Sequence, residues 1–119
     1  MPRYVILRHE KPPELHFDLM LERDGVLKTW SLAQPPELGV EIEAEALPDH
    51  RLAYLDYEGP ISGDRGFVTR WDRGNYDIER ESESEMIVRF AGEKLVGRAV
   101  LCHVSNSENS WRLSVGSES

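Results

Sequence analysis

Cysteine is almost absent from this chain: Cys102 is the single example among 119 residues. No internal disulfide can form, so a reducing compartment suits the chain. Cys102 lies in the apolar run Ala99-Val100-Leu101-Cys102, where a small core hydrophobe is the expected role. Basic charge is also scarce. Against 22 acidic side chains stand 14 Lys and Arg, a net charge of −8. That balance argues against a protein that wraps duplex DNA through a broad basic patch. It leaves room for a small pocket holding a phosphate or a strand end, where a metal ion supplies the local positive charge. Long apolar runs are missing too. Nothing approaches the ~18 residues of a membrane-spanning helix, and no signal-peptide pattern opens the chain. The expectation is a soluble, cytoplasmic protein without membrane contact, folded as one domain over residues 1–119 around one core.

Helical periodicity is nearly absent, and what is present reads as strands. Tyr4 to Leu7 is a β-prone run ending at Arg8-His9, after which Pro12-Pro13 breaks regular structure. His16 to Glu22 and Val26 to Leu32 flank Asp24-Gly25, a strong hairpin signal. Val40 to Ala46 alternates with three glutamates on one side, the pattern of a half-buried strand with a solvated face. Leu52 to Tyr57 leads to Glu58-Gly59-Pro60. Further strands are expected at Gly66 to Trp71, Met86 to Phe90, Leu95 to Val104 and Trp111 to Val115. Asp72-Arg73-Gly74, Ala91-Gly92-Glu93 and Ser105 to Ser110 read as links, and Arg80 to Glu85 as a charged connection. About eight short strands with little helix predict an all-β fold, a small closed or nearly closed antiparallel barrel. Closure is also the usual answer to exposed sheet edges.

One cluster of residue types carries chemistry. His16 and Asp18 are two apart, so on a strand both side chains point to the same face, with Met20. Phe17, Leu19 and Leu21 share the other face, the natural core side. An imidazole beside a carboxylate is a common way to hold Mn²⁺, Fe²⁺ or Zn²⁺ with positions open for water. With His9 arriving from the preceding segment, the site becomes a three-ligand N/O set. Alone, the His16/Asp18 pair reads as a surface or hydrogen-bonded pair, and His50 after Pro48-Asp49 as a turn residue. Trp30, Trp71 and Trp111 each lie in an apolar alternation and read as packing residues.

Read in order, the blocks resemble a known family. Tyr-Val-Ile-Leu-Arg-His at 4–9, His-Phe-Asp-Leu-Met-Leu-Glu at 16–22 and Asp-Gly-Val-Leu-Lys-Thr-Trp at 24–30 are similar to the opening of the 3′-phosphoesterase module of bacterial DNA ligase D. Asp-His-Arg-Leu-Ala-Tyr-Leu-Asp-Tyr-Glu-Gly at 49–59, Trp-Asp-Arg-Gly-Asn-Tyr at 71–76, Gly-Glu-Lys-Leu-Val-Gly-Arg at 92–98 and Trp111-Arg112-Leu113 follow in the family's order. The resemblance runs from about Tyr4 to Val115.

That resemblance implies a compact β-barrel with a metal-dependent phosphoesterase site. The divalent ion is expected to be Mn²⁺, with Zn²⁺, Fe²⁺ or Co²⁺ as alternatives. The family removes a 3′-phosphate, or a 3′-terminal ribonucleoside and then its phosphate, from a primer strand in DNA repair. Its metal ligands fall on His9, His16 and Asp18, and its phosphate-engaging histidine and tyrosine on His50 and Tyr54. Partners would be the 3′ end of a DNA or RNA/DNA primer strand, with a separate ligase and polymerase. The chain departs from the family at three basic positions, where it carries Met20, Gln34 and Ile42. Arg3, Arg8, Lys11 and Arg51 are the candidate replacements. Two other readings stay open: a metal-containing barrel that binds a phosphate or nucleic-acid end without turnover, and a ligand-binding or interaction barrel of unrelated function.

Overall fold

The computed structural model describes residues 2–104 and 107–116. In chain order the elements are β1 (Arg3–Lys11), β2 (Glu14–Arg23), β3 (Val26–Leu32), β4 (Glu41–His50), a 3₁₀ turn (Leu52–Leu55), β5 (Gly59–Pro60), β6 (Phe67–Glu81), β7 (Glu85–Gly92), β8 (Val96–His103) and β9 (Ser110–Gly116). Every strand pairs with its neighbours antiparallel, in the order β1-β2-β3-β4-β9-β8-β7-β6-β5. A further β1–β6 pairing closes eight of them into a ring, and the short β5 adds to β6 outside it. The all-β expectation therefore holds, with the ring closed by two strands far apart in sequence. No helix among the described residues is long and apolar enough to cross a membrane.

Alternation decides what the ring encloses. Tyr4 and Ile6 of β1, Phe17, Leu19 and Leu21 of β2, and Ile42 and Ala44 of β4 point inward to one cluster. There they meet Val88 and Phe90 of β7, Leu101 of β8 and Leu113 of β9. The intervening positions face outward. On most of the ring they are charged, as with Glu41, Glu43 and Glu45. On parts of β1, β2, β3 and β6 they are not: Val5, Leu7, Met20, Leu27 and Val68 form a second apolar cluster outside the ring. The segment between β4 and β6 covers it, with Leu55 as its buried anchor and Tyr54 and Ile61 packed against it.

Two tight turns fix register. Asp24 and Gly25 both adopt positive φ, at 53° and 82°, in the two-residue turn that pairs Arg23 with Val26. Pro12 and Pro13, joined by a cis peptide bond, are not merely a break. They are the whole turn between β1 and β2, pairing Lys11 with Glu14 and hence His9 with His16.

Several sequence expectations need correction. Asp72-Arg73-Gly74 is no link, because β6 runs through it from Phe67 to Glu81. A Cβ on Gly74 would lie 2.2 Å from the Ala91 carbonyl oxygen, so the glycine permits close strand approach rather than a turn. Arg80 and Glu81 likewise pair with Ile87 and Met86, which shortens the charged connection to Ser82–Ser84. Cys102 is half-buried on the outer side of β8, its Sγ 3.8 Å from a Glu85 carboxylate oxygen, while Leu101 faces the core. Of the expected 105–110 link, 105 and 106 lie outside the described residues.

Candidate functional site

The site lies on the outer face of β1 and β2, beneath the segment that covers the second cluster. The proline turn places His9 directly across from His16, and Asp18 two residues further along β2 on the same face. The two imidazoles are 4.5 Å apart between ring centroids. Nδ1 of His9 lies 3.3 Å from one Asp18 oxygen, and Nε2 of His16 lies 3.2 Å from the other. One donor atom from each residue falls within 4.8 Å of the other two.

The protonation logic of this trio favours a cation. Nε2 of His9 donates to the backbone carbonyl of Arg65 at 2.7 Å. A neutral His9 ring then turns a bare Nδ1 lone pair toward an ionised carboxylate, two acceptors facing each other. Asp18 is 4% exposed, and its second oxygen, 3.2 Å from His16 Nε2, is buried without a hydrogen-bond partner. Such a group in a dry site is costly unless a proton or metal ion lies between the donors. Closeness to Asp18 raises the His16 pKa above the ordinary imidazole value, with burial acting against it. Two imidazole nitrogens and one carboxylate oxygen form a set suited to Mn²⁺, Fe²⁺, Co²⁺ or Zn²⁺. The His9–Arg65 bond is the outer support that fixes which ring nitrogen is free.

Further residues converge here. A pocket of about 100 Å³ is lined by His9 and Asp18 on one side, His50 and Tyr54 on another, and Met20 and Arg65. His50 ends β4, and its Nδ1 donates to the Pro48 carbonyl at 2.9 Å, which leaves Nε2 free. Tyr54 sits on the 3₁₀ turn with its ring edge-on to His50, 5.7 Å between centroids. The five residues singled out in the sequence are thus brought together, His16 beside the pocket and the other four on its wall.

The cation that lines this pocket is not among those expected. Arg8 is paired with Glu10, Arg3 with Asp56, and Lys11 is exposed at the end of β1. Arg51 borders an adjoining cavity rather than this one. Arg65 takes the place, its guanidinium tethered to Ser62 through the carbonyl at 2.7 Å and Oγ at 3.3 Å. Its only signal in the sequence is a basic residue inside the turn-forming run Ser62-Gly63-Asp64-Arg65-Gly66. Ile42 points into the ring core and Gln34 is exposed in the β3–β4 link, so neither faces the pocket. His103 packs edge-on against Trp111 and contacts the Glu108 carbonyl, a packing role.

Comparison with known proteins agrees with the order of the blocks. Residues 8–103 match the family described as the DNA Ligase D 3′-phosphoesterase domain. The chain is 35% identical over 123 residues to the multifunctional non-homologous end joining protein LigD of Pseudomonas aeruginosa, covering 93% of this chain and 14% of that protein. It is 36% identical over 125 residues to the protein of that name from Mycolicibacterium smegmatis, covering 92% of this chain and 16% of the relative. Against the Mycobacterium bovis protein identity is 38% over 102 residues, 78% of this chain and 13% of the relative. The chain thus spans about a seventh of the length of these relatives.

Proposed function

This chain belongs to the 3′-phosphoesterase domain family of DNA ligase D, and from that premise we propose that it is a divalent-metal-dependent phosphoesterase that cleans 3′ ends in DNA repair. Its substrate is a primer strand ending in a 3′-phosphate or a 3′-ribonucleotide, and its product is a 3′-hydroxyl. The observation that carries this reading is the convergence of His9, His16 and Asp18 beside a pocket walled by His50, Tyr54 and Arg65. A separate ligase and polymerase would then use the repaired end.

His9, His16 and Asp18 would hold the ion, Mn²⁺ for preference, through Nδ1, Nε2 and a carboxylate oxygen. Once bound, it supplies Lewis-acid polarisation of a phosphoryl group and acidifies water at neutral pH. The rest is the work of the surrounding side chains. Arg65 offers the pocket a permanent positive charge against the phosphate, and the Tyr54 hydroxyl donates to a phosphate oxygen. Water adds its oxygen to phosphorus and releases a proton to solvent. On a 3′-phosphate the P–O3′ bond breaks, and the 3′-oxygen leaves with the electron pair and takes a proton from Nε2 of His50. On a 3′-ribonucleotide the P–O5′ bond to the terminal nucleoside breaks first, its 5′-oxygen taking that proton. The 3′-phosphate left behind is removed in a second round. An imidazole suits that task because it titrates near the working pH.

The test is a primer carrying a 3′-phosphate or 3′-ribonucleotide, incubated with and without Mn²⁺. A 3′-hydroxyl product is expected with wild type and metal only. Product formation by Asp18→Ala would overturn the mechanism. Met20, apolar and buried beneath the pocket, favours a second reading: recognition of a phosphorylated end without turnover. Metal-dependent retention of the primer with no product would select that one.

A further inference from the structure

A second cavity, of about 220 Å³, opens beside the first and shares Tyr54 and Ile61 with it. Arg51, Ala53, Tyr57, Pro60 and Ser62 complete its wall. We propose that this cavity is the subsite for the terminal nucleoside: its base packs in the corner made by Tyr54 and Tyr57, and Arg51 meets the phosphate on that nucleoside's 5′ side. The proposal rests on the phosphoesterase reading and names what lies next to the phosphate.

Five observations support it. The Tyr54 and Tyr57 rings meet at 85°, with centroids 5.8 Å apart, so they form two walls of an open corner rather than a closed stack. Tyr57 is 36% exposed, a large aromatic surface left to solvent. Its hydroxyl donates to the Pro60 carbonyl, which fixes the ring while leaving its apolar surface available. Arg51 is exposed and makes no ion pair among the described residues, unlike Arg3, Arg8, Arg23 and Arg70. In a chain of net charge −8, a cation without a carboxylate partner beside aromatic rings is a local match for a nucleotide. Tyr54 as common wall, and Ser62 tethering Arg65, set the two cavities side by side.

The test compares three probes on the Mn²⁺-loaded protein by calorimetry. They are inorganic phosphate, thymidine bearing a 3′-methylenephosphonate, in which a P–C bond replaces the cleavable ester, and the same compound phosphorylated at its 5′ position. The nucleoside is expected to tighten binding about tenfold over phosphate, the scale of stacking one base. The 5′-phosphate should add about fivefold at low salt, fading as salt rises. Tyr57→Phe should keep the first increment and Tyr57→Leu should lose it. Arg51→Gln should lose only the second, and its exposed site leaves the fold intact. Equal binding of all three probes by wild type overturns the subsite alone. Increments unchanged in Tyr57→Leu and Arg51→Gln overturn it too. Failure of every probe to bind overturns the phosphoesterase reading with it.

Discussion

Nε2 of His9 donates to the backbone carbonyl of Arg65 at 2.7 Å, joining a β1 side chain to the turn between β5 and β6. One residue thereby serves two ends: its carbonyl selects the His9 tautomer, and it forms part of the pocket wall. The geometry of the metal-type trio and the charge of the pocket are therefore coupled through one loop.

Gly66 is the lever on that loop. It adopts φ +99°, and a Cβ there would lie 2.3 Å from the Glu10 carbonyl oxygen, a backbone atom that cannot yield. Gly66→Ala should push the turn away from β1 and stretch the His9–Arg65 bond. Mn²⁺ affinity is expected to fall about 10- to 100-fold, the usual effect of losing an outer-shell partner. Unfolding stability should fall by roughly 1–3 kcal/mol from backbone strain. Gly63→Ala is the control: φ is +75°, but its Cβ would meet only Arg65 Nε at 3.7 Å. Titration of Mn²⁺ by electron paramagnetic resonance should separate the two, with Gly63→Ala near wild type.

Asp18→Asn distinguishes a metal centre from a structural ion pair. The amide nitrogen can donate to the bare Nδ1 of His9, and one buried charge is removed. The metal-free variant should therefore be as stable as wild type within about 1 kcal/mol, while Mn²⁺ binding is lost. Denaturant unfolding with and without metal reads both quantities. A large loss of stability without metal would make the trio a structural cluster.

Much of this arrangement was legible because strands alternate. The sharing of one face by His16, Asp18 and Met20, with Phe17, Leu19 and Leu21 on the core side, follows from period two alone, and the Asp24-Gly25 turn follows from its φ preference. Other features depend on contacts that sequence spacing does not encode. Gly74 and Asp72 look like turn formers, yet one admits a neighbouring backbone and the other accepts buried amides. Arg65 faces the pocket only because its loop folds back on β1 across more than fifty residues of chain. Cys102 shows the limit of apolar runs: on a half-buried strand every second member faces out.

Met20 marks where an arginine would be expected from the family resemblance, and the structure gives a reason not to restore it. The side chain is 2% exposed, packed with Val5, Leu7, Leu27, Leu55 and Val68 beneath the pocket. Met20→Arg should force a guanidinium through that cluster and cost about 1–3 kcal/mol of unfolding stability by overpacking. Met20→Leu should cost less than about 1.5 kcal/mol. Thermal unfolding ranks the pair, and the Leu variant should keep Mn²⁺ affinity unchanged.

Ring closure depends on a buried polar cluster between β1 and β6. Asp72 is 1% exposed and accepts from the Tyr4 hydroxyl at 2.7 Å and from the backbone amides of Lys94 and Leu95 at 2.8 and 3.0 Å. Burial, with Asp72 alongside, pushes the Tyr4 pKa up, so the phenol stays a donor across the working range. Asp72→Ala strands the buried Leu95 amide and leaves the Tyr4 hydroxyl only the Leu95 carbonyl at 3.5 Å, and is expected to cost about 2–4 kcal/mol. Tyr4→Phe removes one donor but leaves the carboxylate held by two amides, at about 1–2 kcal/mol. Equilibrium denaturation should therefore rank Asp72→Ala well below Tyr4→Phe. Equal losses would mean that the hydroxyl, not the carboxylate, organises the seam that holds His9 in place.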